Sequence, residues 1–112
     1  MVSPKVGSIV LVRFPFSDLS ATKLRPAVVL ASVDRDDWVL CQITSNPYAD
    51  ARAVEIIQSD FYSGSLLRIS YARPGKLFTA SNAIMEKEVG LLTSAKLSSV
   101  IKAVITLLES ER

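Results

Sequence analysis

The sequence predicts a mainly β fold, a small antiparallel barrel or strongly bent sheet with one helix packed against it. Two observations support this prediction. Short β-rich stretches alternate with turn-forming segments up to Thr79, and the C-terminal stretch repeats apolar side chains at helical spacing. The 112 residues suit one domain, residues 1–112, with a single core.

The first strands are predicted from apolar stretches separated by polar ones. Ser8 to Phe14 and Pro26 to Ser32 flank a polar, loop-like segment from Pro15 to Leu24. After a charged turn at Val33 to Asp37, the continuous apolar stretch Trp38 to Thr44 indicates a strand buried on both faces. These stretches predict three strands, the first two joined by a long loop.

Shorter strands are expected beyond a loop at Ser45 to Asp50. They are predicted at Val54 to Ile57, Leu66 to Ala72 and Lys76 to Thr79, with Gly64 in a turn between the first two.

The C-terminal helix is predicted from apolar residues three and four positions apart, namely Leu97, Val100, Ile101, Val104 and Leu108. Thr93 is the expected N-cap, and Gly90 is expected to end the preceding element.

Composition excludes several classes of protein. The 49% hydrophobic share argues against intrinsic disorder, and no apolar stretch is long enough for a membrane span or forms a secretion signal, so we expect a cytoplasmic protein. Without histidine, the usual zinc sites and Ser/His or Cys/His nucleophile pairs are excluded, and no metal or cofactor is expected.

Cys41, the single cysteine, is expected to be a buried small hydrophobe. The cluster Asp34, Asp36 and Asp37 is interpreted as a solvated hairpin turn rather than a metal site.

Charge is distributed unevenly. Residues 1–30 carry four cations, Lys5, Arg13, Lys23 and Arg25, against Asp18 alone, and residues 61–85 carry Arg68, Arg73 and Lys76 without an acid. Residues 31–60 are acidic. If the fold joins the two basic segments, their surface can hold a phosphate backbone; otherwise these are ordinary solvated charges.

Two strand ends carry candidate chemistry. Arg25 precedes Pro26, which biases Arg25 toward an extended backbone, and a fixed guanidinium suits clamping a phosphate. Thr44 and Ser45 end the third strand, where their hydroxyls either bond a phosphate or ribose or cap the following loop.

Arg73 and Pro74 repeat the Arg-Pro arrangement beside Lys76 and the aromatics Tyr71 and Phe78. Basic residues mixed with aromatic ones suit binding of single-stranded RNA, because cations hold the backbone while bases stack. Core packing explains the two aromatics equally well.

Four motifs follow one another along the chain: the opening GSIVLVRFPFSDLSATKLRPAVVLAS, then CQITS, LLRISYARPGKLFT and the ending GLLTSAKLSSVIKAVITLL. Together, in this order, they resemble the PemK/MazF family of toxin–antitoxin endoribonucleases. The resemblance covers nearly the whole chain. It implies an SH3-like antiparallel barrel with a C-terminal helix, of the PemK/MazF/CcdB type, acting as a homodimer.

The resemblance also implies an activity: metal-independent cleavage of single-stranded RNA by 2′-hydroxyl attack, leaving a 2′,3′-cyclic phosphate and a 5′-hydroxyl. Arg25 and Thr44 match the family's catalytic arginine and threonine. Arg73 matches an arginine that some members use as a general acid, paired two positions later with an aspartate base. That later position is Gly75 here, so the base is unidentified.

Lys23, Ser45, Lys76 and Arg13 are the residues expected to bind RNA. The expected protein partner is a cognate antitoxin whose flexible tail covers the RNA groove. Two alternatives stay open: a CcdB-like toxin that inhibits a protein such as DNA gyrase without cutting RNA, and an SH3-like interaction module without toxicity.

Overall fold

In a computed structural model, residues 2–15 and 22–111 are described; the predicted loop between the first two strands lies largely outside them. Within these residues, seven antiparallel strands form one curled sheet followed by one α-helix. Their bounds are β1 Ser8–Pro15, β2 Thr22–Ser32, β3 Asp37–Thr44, β4 Val54–Ile56, β5 Phe61–Gly64, β6 Ser70–Ser81, β7 Met85–Leu92 and α1 Ser94–Glu109. The order across the sheet is β4-β6-β3-β2-β1-β7-β5. The predicted fold class is confirmed.

The central strands β1, β2 and β3 are buried on both faces, because successive side chains of a strand point to opposite sides. One set packs in a helix-side cluster: Ile9, Val28, Cys41, Ile43, Ile56, Ala72, Leu92 and Val100. The other set forms an opposite cluster: Val10, Val12, Ala27, Val29, Leu40, Ala80 and Met85. Burial of β3 on both faces and of Cys41 is therefore confirmed.

β6 is one long strand with a bulge where the sequence predicted two strands. Its pairing with β3 passes from Cys41↔Leu77 directly to Ile43↔Ala72, which leaves residues 73–76 outside the regular ladder. Pro74 lies in this bulge, where its missing N–H costs no ladder hydrogen bond. The Pro-Gly pair thus bends the strand without ending it.

The β5–β7 edge of the sheet differs most from the prediction. β7 was not predicted at all, and it continues through Gly90, which was expected to end an element. Gly64 lies in β5 and pairs with Gly90, with φ +73; a Cβ on Gly64 would lie 2.1 Å from the Val89 carbonyl oxygen. Residues 66–69, predicted as strand, connect β5 to β6 instead.

The start of α1 is fixed as predicted. The Thr93 hydroxyl accepts a hydrogen bond from the Lys96 amide at 3.2 Å, and Val100 and Val104 face the sheet and are buried. Lys96 Nζ also donates to the Glu55 carbonyl at 3.1 Å and lies 3.6 Å from Asp60 Oδ2. No helix in the described ranges has the length and apolar character needed to cross a bilayer.

Candidate functional site

A basic pocket of about 670 Å³ opens where β2 begins and β3 ends. Lys23 and Arg25 line it from β2, Arg68 from the segment between β5 and β6, and Lys87 from β7. Thr44, Ser45 and Tyr48 complete its polar wall. The described residues that line it include no carboxylate, so the pocket is a local positive site.

Arg25 and Thr44 share this pocket because of strand register. The β2–β3 ladder ends where Ala27 pairs with Gln42, and Arg25 and Thr44 each lie two residues beyond that pair, at the same end of the ladder. Both residues are half-buried and line the pocket. The guanidinium and the hydroxyl predicted to act together therefore open onto one space.

The Thr44 hydroxyl also shapes the following loop. It donates to the Asn46 carbonyl at 3.0 Å and accepts from the Asn46 amide at 3.1 Å. The sequence analysis left open whether this hydroxyl caps the following loop. It does cap the loop, and the residue also lines the pocket. Ser45, the other predicted hydroxyl, is exposed in the same wall.

The fold brings together part of each basic segment. Lys23 and Arg25 come from the first and Arg68 from the second. Lys87 comes from neither, and it reaches the pocket because Leu11 of β1 pairs with both Lys87 and Pro26. Within residues 2–15 and 22–111, none of the four pocket cations forms an ion pair.

The sequence predicts no site role for Arg68 or Lys87. The position of Arg68 in the second basic segment could have indicated phosphate binding. No feature of the sequence indicates such a role for Lys87, because it lies between Glu86 and Glu88 in a stretch of balanced charge.

Arg73 lies outside the pocket and contacts it through Tyr48. Its Nε donates to Asp50 Oδ2 at 3.0 Å, and its guanidinium carbon lies 5.7 Å from the centre of the Tyr48 ring. The hydrogen bond from Arg73 is the main cause that lowers the pKa of Asp50 below its ordinary value. Arg73 therefore pairs with an aspartate from the loop after β3, although position 75 is a glycine.

Arg13 and Lys76, both predicted to bind RNA, do not line the pocket either. Arg13 forms an ion pair with Glu86 across the β1–β7 pair. Lys76 is exposed in the β6 bulge, outside the regular β3–β6 ladder.

Core packing accounts for one of the two aromatics that sequence analysis associated with RNA. Phe78 packs edge-on against Phe14, with ring centres 4.9 Å apart, beside the opposite cluster. Tyr71 is half-buried on β6 and pairs with Thr44, but it does not line the pocket.

No group of three or more potential metal-ligating side chains occurs in the part of the chain that the structure describes.

The sequence matches the family model of the PemK-like, MazF-like toxins of type II toxin–antitoxin systems over residues 5–108. The chain belongs to this family. A search of curated proteins finds no match.

Solved structures of PemK/MazF-like toxins share the fold. A crystal structure of MazE–MazF from Deinococcus radiodurans matches with TM-score 0.74 and 17% identity, covering 94% of this chain and 95% of that chain. An endoribonuclease from a Mycobacterial species, in complex with its cognate antitoxin, matches with a TM-score of 0.72 and 17% sequence identity, covering 95% of each chain. The Mycobacterium tuberculosis toxin MazF-mt6 matches with a TM-score of 0.70 and 15% sequence identity, covering 91% of this chain and 96% of that chain.

Proposed function

We propose that the protein is a metal-independent endoribonuclease, the toxin of a type II toxin–antitoxin pair, which cuts single-stranded RNA in the cytoplasm. The observation that carries the proposal is the pocket that Arg25 and Thr44 line together with three further cations. Family membership supports it, as does the similarity to a protein described as an endoribonuclease.

The proposed reaction is an internal displacement at one phosphodiester. The ribose 2′-oxygen bonds to phosphorus while the bond from phosphorus to the 5′-oxygen breaks. The 2′-hydroxyl loses its proton and the leaving 5′-oxygen gains one, which yields a 2′,3′-cyclic phosphate and a 5′-hydroxyl. Arg25 donates to the non-bridging oxygens, where negative charge grows as the bond forms.

The other pocket residues hold the strand. Lys23, Arg68 and Lys87 attract the flanking phosphates, and the exposed Ser45 hydroxyl donates to a phosphate oxygen. Thr44 contributes by keeping the loop after β3 in shape, since its hydroxyl already serves Asn46. No described carboxylate lines the pocket to act as base, so catalysis rests on positioning and charge, and we expect slow cleavage.

The proposal includes two protein partners. A second copy of the chain forms a homodimer, which doubles the positive charge offered to RNA. A cognate antitoxin covers the pocket with a flexible acidic or amphipathic tail, and two of the similar structures are toxins bound to antitoxins.

The test is to map cleavage ends on a long unstructured RNA in EDTA. We expect cyclic-phosphate and 5′-hydroxyl ends from the wild type and from Lys102→Ala, which changes an exposed cation of α1 outside the pocket. Arg25→Ala should lose roughly 100-fold or more in rate, as expected for a residue that stabilises developing charge. Equal products from Arg25→Ala and the wild type would refute the role of Arg25.

A second candidate function is inhibition of a protein target such as DNA gyrase without RNA cleavage. The absence of a carboxylate among the described pocket residues favours it, because those residues then offer no carboxylate to accept the 2′-hydroxyl proton. Growth arrest on expression with intact cellular RNA would support this candidate over the first.

A further inference from the structure

Tyr48 places an exposed aromatic side chain in the wall of the basic pocket. It is 65% exposed and lines the same space as Arg25 and Ser45. Hydrophobic burial therefore does not explain its position. The surrounding interactions show how it is held.

The backbone at Tyr48 is strained. Tyr48 and Ala49 have φ of 53 and 61, in the left-handed region that favours glycine. They are the central residues of a tight turn closed by the Asp50 amide, which donates to the Pro47 carbonyl at 2.9 Å. Turns with positive φ at both central positions usually carry Asn-Gly. Other contacts must stabilise this turn.

Side-chain contacts hold both Tyr48 and Asp50, the residue two positions after it, in place. Arg73 Nε binds Asp50 at 3.0 Å, and both side chains are largely buried, with 21% and 18% exposed. The same guanidinium lies over the Tyr48 ring, and Asn46 Oδ1 accepts from the Tyr48 amide at 2.9 Å. A cation above an aromatic ring attracts it electrostatically. Arg73 of β6 therefore contacts the turn through Asp50 and the aromatic ring of Tyr48 directly.

We propose that Tyr48 is a stacking platform for one unpaired base of the bound strand, and that the Arg73–Asp50 pair positions it. The inference rests on the proposed function, because the pocket must bind RNA. The pocket cations hold phosphates, while the ring offers a flat surface beside them. Every base has a π-face, so such a platform accepts bases of any sequence.

The test compares two labelled single strands of equal length and charge by fluorescence anisotropy. One is a pool of random-sequence 2′-deoxynucleotides, and the other carries abasic tetrahydrofuran at every position; neither has a 2′-hydroxyl to react. Tyr48→Ala should weaken binding of the base-bearing strand by about five- to 100-fold and leave the abasic strand unchanged. Tyr48→Phe should retain wild-type affinity. Tyr62→Ala, which removes a 78% exposed tyrosine outside the pocket, is the matched control.

Arg73→Ala tests the positioning role. It should weaken binding of the base-bearing strand when Tyr48 is present and add nothing in the Tyr48→Ala background, because Arg73 acts through the ring. Equal weakening of both strands by Arg73→Ala would show that Arg73 binds phosphate directly, which overturns the positioning role.

Failure of the stacking proposal is distinguishable from failure of the proposed function. If Tyr48→Ala changes neither affinity while Arg25→Ala weakens both, stacking is refuted and the pocket remains the binding site. If the wild type binds neither strand, the stacking proposal falls, and the proposed function is decided by the RNA cleavage assay alone.

Discussion

Cys41 shows how burial controls a reactive group at the scale of one residue. Its thiol is fully buried in the helix-side cluster and donates to the Arg73 carbonyl at 3.1 Å. Burial raises the pKa of Cys41 from 9.0 to about 12. The thiol therefore stays protonated and inert at neutral pH.

The raised pKa of Cys41 predicts a loss of stability in alkali. The folded protein retains the thiol proton up to about pH 12 while the unfolded chain releases it near pH 9.0, so the free energy of unfolding falls across that range. Urea unfolding from about pH 8 to about pH 11 measures this effect. Cys41→Ala should show a shallower fall than the wild type; parallel curves for the two proteins would contradict the account.

The strained turn gives a second prediction for a single residue. Ala49→Gly should raise the free energy of unfolding by about 0.5 to 1 kcal/mol, because glycine accepts φ of 61 without the clash that alanine incurs. Ala51→Gly, at an exposed neighbouring position without positive φ, should instead lower it slightly. Denaturant unfolding checks both, and a loss of stability in Ala49→Gly would show that the turn is not strained.

At the scale of elements, the β5–β7 pair depends on two facing glycines. Gly64→Ala should lower the free energy of unfolding by about 2 kcal/mol or more, because the new Cβ meets the Val89 carbonyl and φ is positive. Gly75→Ala is the matched control: its nearest neighbour is Leu107 Cδ2 at 3.9 Å, an ordinary contact, so the change should stay within about 0.5 kcal/mol. Thermal or urea unfolding that ranks the two variants equally would contradict the observed pairing.

The elements that sequence predicted well are those whose pattern is local. β1, β3 and α1 follow from apolar periodicity, and the Thr93 cap follows from residue type. β7 escaped prediction because Glu86, Lys87 and Glu88 are all exposed, which hides its alternation. The segment 66–69 was wrongly predicted as strand: Leu66 packs against the helix-side cluster, but Leu67 and Ile69 are exposed, so the apolar character of those two does not reflect burial.

The site was predictable only in part. Thr44 was predicted at the end of a strand, and it is the last residue of β3. Arg25 was predicted at a loop-to-strand junction, which is wrong: β2 begins at Thr22, because the residues before Arg25 already pair with β1, so Arg25 is its fourth residue.

The place of Tyr48 in the pocket depends on a turn conformation, and that of Lys87 depends on the β1–β7 register. No local sequence pattern predicts either. Lys76 lies in the β6 bulge, which the sequence indicates only as a break between two strands.

At the scale of the whole molecule, the pocket collects four cations from distant parts of the chain. Binding of single strands releases counterions, with a slope of log affinity against log salt of about −0.7 per phosphate contacted, or about −3 for four contacts. Arg68→Ala should reduce the magnitude of the slope by about 0.7, whereas Arg35→Ala, in the exposed β2–β3 turn, should leave it unchanged. Anisotropy titrations over a range of salt measure it, and equal slopes for both variants would exclude Arg68 from the interface.

The position of the bound RNA decides whether the basic pocket is the active site. A crystal structure of the protein with a 2′-O-methyl RNA oligomer, which lacks the attacking hydroxyl, tests this directly. We expect a phosphate within hydrogen-bonding distance of the Arg25 guanidinium, with its neighbours beside Lys23, Arg68 and Lys87. An oligomer bound on another face, with no phosphate at Arg25, would contradict it.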